Sequence, residues 1–140
     1  MATITTNKTT STTVAKAVHA GSQVTSVIYS LAANASAGDL IQLVRVPAGA
    51  IVTDVQLTCG LSTANAITAN VGDTLNSARY IASVLMSNQG VLRATATGLP
   101  YSYSAATTVD LSITAITSVT FLSAWVACSV TYHLDEIPNL

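Results

Sequence analysis

Asp73 and Arg79 stand six positions apart in "VGDTLNSARYI", within a chain that has only six acidic and five basic residues. Charges this scarce invite a chemical reading. Calcium would want several oxygen ligands around Asp73, yet Thr74, Asn76 and Ser77 bring no second carboxylate. The Gly-Asp step has instead the character of a strand-ending turn, in which a carboxylate accepts backbone N–H groups. Arg79 opens the next strand close enough for an ion pair, and its planar guanidinium can hold a carboxylate together with nearby carbonyls. Gly72, Asp73 and Arg79 are therefore read as a structural turn and ion pair.

The other reactive residue types are dispersed. His19 and His133 lie 114 positions apart and neither has a ligand two or four residues away. The acids occur singly except for Asp135-Glu136, which sits beside Pro138. No G-x-S-x-G elbow, phosphate-cradling loop or dinucleotide fingerprint occurs. Cys59 and Cys128 fall in strand-like runs without C-x-x-C spacing, so they read as small buried hydrophobes, and spacing alone does not decide whether they are bonded. No catalytic, cofactor or metal residues are assigned, and no enzyme is expected.

Composition defines the elements that must carry the corner. The 140 residues suit one domain; half are hydrophobic, only 5% aromatic and 8% charged. Thr, Ser, Ala and Val replace the missing charges, and Glu, Lys and Gln are rare, which points to an all-β chain. A net charge of −1 offers no footprint for nucleic acid or an anionic membrane. Faces so poor in charge suit a subunit that meets other subunits. The start of the chain lacks an apolar run behind basic residues, so no secretory signal is expected. Residues 111–134 carry no charge over a membrane-spanning length, but their Ser, Thr and β-branched content and the lack of flanking Lys or Arg favour two strands and a turn.

Residues 1–22 form a polar Thr-rich arm holding both lysines, Lys8 and Lys16. Residues 23–140 are read as one antiparallel β-sandwich, jelly-roll-like, with no long helix. Strands are expected at 23–31, 39–46, 51–60, 67–73, 79–85, 90–98, 107–114 and 119–134, with Pro47 and Gly49 turning the second into the third. In the third, Ile51, Thr53, Val55 and Leu57 should share one face. In the second, Leu40, Gln42, Val44 and Val46 should alternate with Ile41, Leu43 and Arg45. Val109, Leu111 and Ile113 should point inward. In the last strand Val126, Cys128, Val130 and Tyr132 share a face, opposite Trp125, Ala127, Ser129, Thr131 and His133. Arg45, Arg79 and Arg93 are expected to be shielded by the sheets.

"RVPAGAIVTDVQLTCG" followed by "ITANVGDTLNSARYIASV" resembles a pattern of small structural proteins of tailed bacteriophages, among them capsid decoration (cement) proteins and related head or fibre subunits. The likeness spans roughly residues 40–84 and is carried by Pro47, Gly49, Gly72, Asp73, Arg79, Tyr80 and Ile81. It implies a virion β-sandwich, often trimeric, on the outside of the shell. Its partners would be the major capsid protein and further copies of itself, after assembly in the host cytoplasm. Lys8, Lys16, Trp125 and His133 are then candidate inter-subunit contacts. The alternatives are a head-fibre or tail subunit, or a carbohydrate-binding module using Tyr101 and Tyr103.

Overall fold

The computed structural model describes residues 3–5, 22–31, 35–60, 66–86, 90–117 and 124–134. The short β1 (Thr3–Thr5) is followed by β2 (Gln23–Ser30), β3 (Leu40–Val46), β4 (Ala50–Gly60), β5 (Ala66–Gly72), β6 (Ile81–Met86), β7 (Gly90–Arg93), β8 (Tyr101–Ser102), β9 (Thr107–Thr117) and β10 (Trp125–Leu134). One sheet runs β1-β3-β9-β5-β6 and the other β2-β10-β4-β7, with β8 also on β4. Every pair is antiparallel except β1 on β3, which is parallel. The expected all-β sandwich of two sheets is what forms. Of the arm, Thr3–Thr5 extend the chain's own first sheet, while Lys8 and Lys16 lie outside the described residues.

The two sheets meet over a core drawn from both, including Ile41, Val44, Val55, Leu57, Ile67, Leu111, Ile113, Val126, Val130 and Tyr132. Each fully buried Val, Leu or Ile side chain contributes about 1.5–3 kcal/mol. With so few aromatics, the core depends on many such medium-sized contributions. Cys59 and Cys128 are buried in it and are not joined in a disulfide, and burial pushes the Cys128 thiol up to about 12. Val109, Leu111 and Ile113 face inward, as do Val126, Cys128, Val130 and Tyr132.

Register shifts interrupt four of the described ladders, one of them between β5 and β6, and at the other three a bulge moves a residue across the sheet. Opposite β10 the ladder skips Thr53, so Val52 joins Val55 and Leu57 in the core, and Ile51 and Thr53 fall out of the face expected for them. Opposite β9 it skips Leu43, so Leu43 and Val44 are both buried rather than on opposite faces. On β9 the extra residue is Thr114. Thr53 and Thr114 donate their hydroxyls to the Thr131 and Thr68 carbonyls at 3.3 and 3.0 Å, which restores a partner to a carbonyl where the ladder is interrupted.

Residues 90–98 do not form one strand. After β7 the chain makes a short 3₁₀ turn (Ala96–Gly98) and a cis Leu99–Pro100 peptide before β8. No helix among the described residues is long and apolar enough to cross a membrane. Arg93 is not shielded: its side chain is 66% exposed and reaches Asp54 at 3.3 Å.

Candidate functional site

Gly72 ends β5 where the chain must double back on itself. A Cβ there would stand 2.1 Å from the Asn76 carbonyl oxygen, so only glycine lets residues 72–77 close so tightly. The Asp73 N–H donates to that same carbonyl at 3.0 Å, and the Arg79 N–H does so at 3.2 Å. The Asp73 carboxylate folds back over the turn and accepts the Leu75 and Asn76 N–H groups at 2.9 and 2.8 Å. Its other oxygen accepts from Arg79 Nε at 2.5 Å and from the Tyr103 hydroxyl at 2.7 Å.

With a longer contact from Arg79 Nη2 to the first oxygen at 3.5 Å, these donors fill the roughly four lone-pair directions of a carboxylate. Its acceptor capacity is spent inside the fold. Burial alone would raise the Asp73 pKa, but the Arg79, Tyr103, Asn76 and Leu75 hydrogen bonds outweigh it and hold the carboxyl below its ordinary range. Arg79 lies with its guanidinium carbon 3.6 Å above the Tyr101 ring, so it grips a carboxylate and an aromatic face rather than carbonyls. Tyr101 meets Tyr103 edge-on at 4.9 Å. Tyr80, fully buried, shares a 2.5 Å hydrogen bond with the Tyr103 hydroxyl, and burial pushes its own pKa up to about 12.

The structure thus brings Gly72, Asp73 and Arg79 together in one turn. It adds Tyr80, Tyr101 and Tyr103, the last of them 30 positions from Asp73. Tyr103 is buried and Tyr101 lies under Arg79, so neither offers the open ring that a sugar-stacking platform needs. Trp125 lies on the outer face of the second sheet against Gly60 of β4, and His133 is exposed with Ser22 Oγ at 3.3 Å. Neither belongs to the corner.

Beneath the 73–77 loop lies a residue that pattern reading overlooked. Asp110 alternates with the inward Val109 and Leu111 and should face solvent, but it is 1% exposed. It stands opposite Gln42 on β3 and Gly72 on β5 and lines a cavity of about 490 Å³ together with Asp73, Thr74 and Ser77. Neither of its carboxyl oxygens has a hydrogen-bond partner. Burial pushes its pKa up to about 6; the neighbouring Thr108 hydroxyl tempers the rise and the Asp73 charge adds to it. Among the described residues no group of three or more His, Cys, Asp or Glu side chains is placed to hold a metal ion.

No protein-family model and no curated protein sequence matches this chain. Solved structures do. A chain from the capsid of Ralstonia phage GP4 superimposes with a TM-score of 0.74 at 20% identity, covering 95% of this chain and 98% of that one. A chain from the cyanophage Pam1 capsid asymmetric unit gives 0.68 at 26% identity, with 93% and 98% covered. A chain from the acid-stable capsid of Helicobacter pylori bacteriophage KHP30 gives 0.60 at 15% identity, with 84% and 90% covered. The fold is one that phage capsids use.

Proposed function

We propose that this chain is a non-enzymatic structural subunit of a bacteriophage virion, and specifically a decoration (cement) protein. In this reading it binds the outside of the head as a homotrimer and bridges copies of the major capsid protein. The observation that carries it is the end-to-end match to the Pam1 capsid chain, 93% of this chain against 98% of that one at 26% identity.

The chemistry supports the same reading. The most elaborate polar cluster among the described residues is consumed in fastening a turn, and its carboxylate presents no spare acceptor to a substrate. Low charge over both sheets suits surfaces that are covered in an assembly, where interface centres are depleted of ionic groups. The strand orders β2-β10-β4-β7 and β3-β9-β5-β6 support a jelly-roll description, in which successive strands cross between the sheets. Stabilisation would follow from mass action, because a ligand that binds only the assembled shell adds its binding free energy at each occupied site.

The deciding experiment mixes purified protein with heads that lack it. Co-sedimentation with the heads, and a rise in the temperature at which they release their contents, are expected. Heads that neither bind the protein nor gain stability would end the decoration reading. Deleting residues 1–20 tests the arm separately: weaker binding is expected, and unchanged binding removes the arm from the interface.

A further inference from the structure

Each sheet has two edges, and three of these four edges are guarded. β1 is only three residues long. β6 is broken by a register shift against β5 and by Ser83 in a left-handed conformation at φ 47°. β7 has four residues and ends on the exposed Arg93. Short strands, bulges and charges are the means by which proteins prevent open edges from pairing. β2 has none of them. Its eight residues, "QVTSVIYS", include no charge, proline or glycine, and they pair with β10 from end to end without a register shift. No strand among the described residues pairs with its other side.

The outward face of β2 presents Val24, Ser26, Ile28 and Ser30, with Val24 65% and Ile28 75% exposed. These two apolar residues lie symmetrically about Ser26. In an antiparallel pair, directly opposed residues share a face. A two-fold axis through Ser26 therefore sets Val24 of each strand against Ile28 of the other. It also sets Gln23 against Tyr29 and Thr25 against Val27 on the inner face. An axis shifted to Val27 would instead leave Val24 facing Ser30 and Ile28 facing Ser26. Only the first register matches apolar with apolar twice.

We propose that the free edge of β2 is an interface with a second copy of this chain, the two β2 strands pairing antiparallel about Ser26 so that two β2-β10-β4-β7 sheets become one continuous sheet. The occupant is a sister molecule because the pattern is complementary to itself. The inference stands apart from the capsid reading. If trimers also form, pairing at β2 joins them two by two.

Native mass measurement tests this. The wild type should contain an even number of copies. The V24E/I28E variant changes two exposed side chains and puts Glu against Glu twice, so it should have half the wild-type mass with an unchanged circular dichroism spectrum. The V24K/I28E variant puts Lys against Glu in the same register and should return to the wild-type mass. A wild-type monomer or odd-numbered assembly overturns the proposal, as does a V24E/I28E variant that keeps the wild-type mass. A V24K/I28E variant that stays dissociated overturns it too, because the register through Ser26 is part of the claim.

Discussion

Gly49 donates its backbone N–H to the Tyr103 carbonyl at 2.7 Å, while the hydroxyl of the same tyrosine reaches the Asp73 carboxylate at 2.7 Å. Two turns distant in sequence, the Pro47–Gly49 turn and the Asp73 corner, are thus fastened through one residue, by its backbone carbonyl on one side and its hydroxyl on the other. The Tyr103 N–H also donates to the Ala50 carbonyl at 2.9 Å, which fixes where its ring enters the core. Removing the hydroxyl by Tyr103→Phe withdraws a donor from a charged acceptor and leaves the buried Tyr80 hydroxyl without its partner. A hydrogen bond to a charged group contributes about 1.5–3 kcal/mol, so a loss of that size is expected in urea unfolding. A Tyr103→Phe midpoint equal to wild type would show that the three-way contact does not stabilise the fold.

Asp73 itself should matter more. Asp73→Ala strands Arg79 over Tyr101 and strips two turn N–H groups of their acceptor, and breaking a buried pair from one side costs about 3–5 kcal/mol. Arg79→Lys should recover only part of the Arg79→Ala loss, because an ammonium lacks the planar fork that grips the carboxylate while stacking on the ring. The pH dependence has a definite sign. The folded Asp73 pKa lies below its unfolded value, so the stabilisation is complete above about pH 4 and is lost as pH falls through the folded pKa. Acid unfolding followed by tyrosine fluorescence should show this loss in wild type and not in Asp73→Asn.

Gly72→Ala tests the turn independently of any charge. The added methyl would meet the Asn76 and Ser77 backbone, which has no flexible end that can swing aside. Opening residues 72–77 would also cost Asp73 its N–H donors, so a loss of at least about 3 kcal/mol is expected, within the range for severe backbone and packing disruption. Gly90→Ala is the matched control, since a methyl there meets nothing within 4 Å. Equal thermal midpoints for the two variants would refute the steric account.

The sandwich was legible because most strands alternate cleanly, and the Asp73–Arg79 pair because a Gly-Asp turn and a nearby arginine form a local pattern. The bulges at Leu43, Thr53 and Thr114 were not legible. Each is decided by how a neighbouring strand is placed, and nothing within "LIQLVRV" or "IVTDVQL" marks the residue that is skipped. Tyr103 was missed for a related reason: its partners lie 30 and 54 positions away, brought near only by the closing of two sheets. Asp110 occupied an outward position in a regular alternation, and its burial comes from a loop on another strand that arches over it.

Asp110 provides a prediction of opposite sign to that of Asp73. Its folded pKa of about 6 stands above the ordinary 3.8, so the native state holds the proton more tightly than the unfolded chain does. Stability is therefore greatest below about pH 4 as far as this group is concerned, declines as pH rises through 6, and carries the full penalty at neutral pH. A shift of this size corresponds to about 3 kcal/mol. Asp110→Asn keeps the shape and removes the charge, though its amide is no better supplied with partners. A gain of about 1–2 kcal/mol is expected at pH 7.5, shrinking to nothing near pH 4, where the wild-type carboxyl is already neutral. Urea midpoints measured from pH 4 to 7.5 decide it: wild-type stability should fall across that range and Asp110→Asn should stay level. Parallel curves would mean that the carboxyl is not buried unpaired beneath the 73–77 loop.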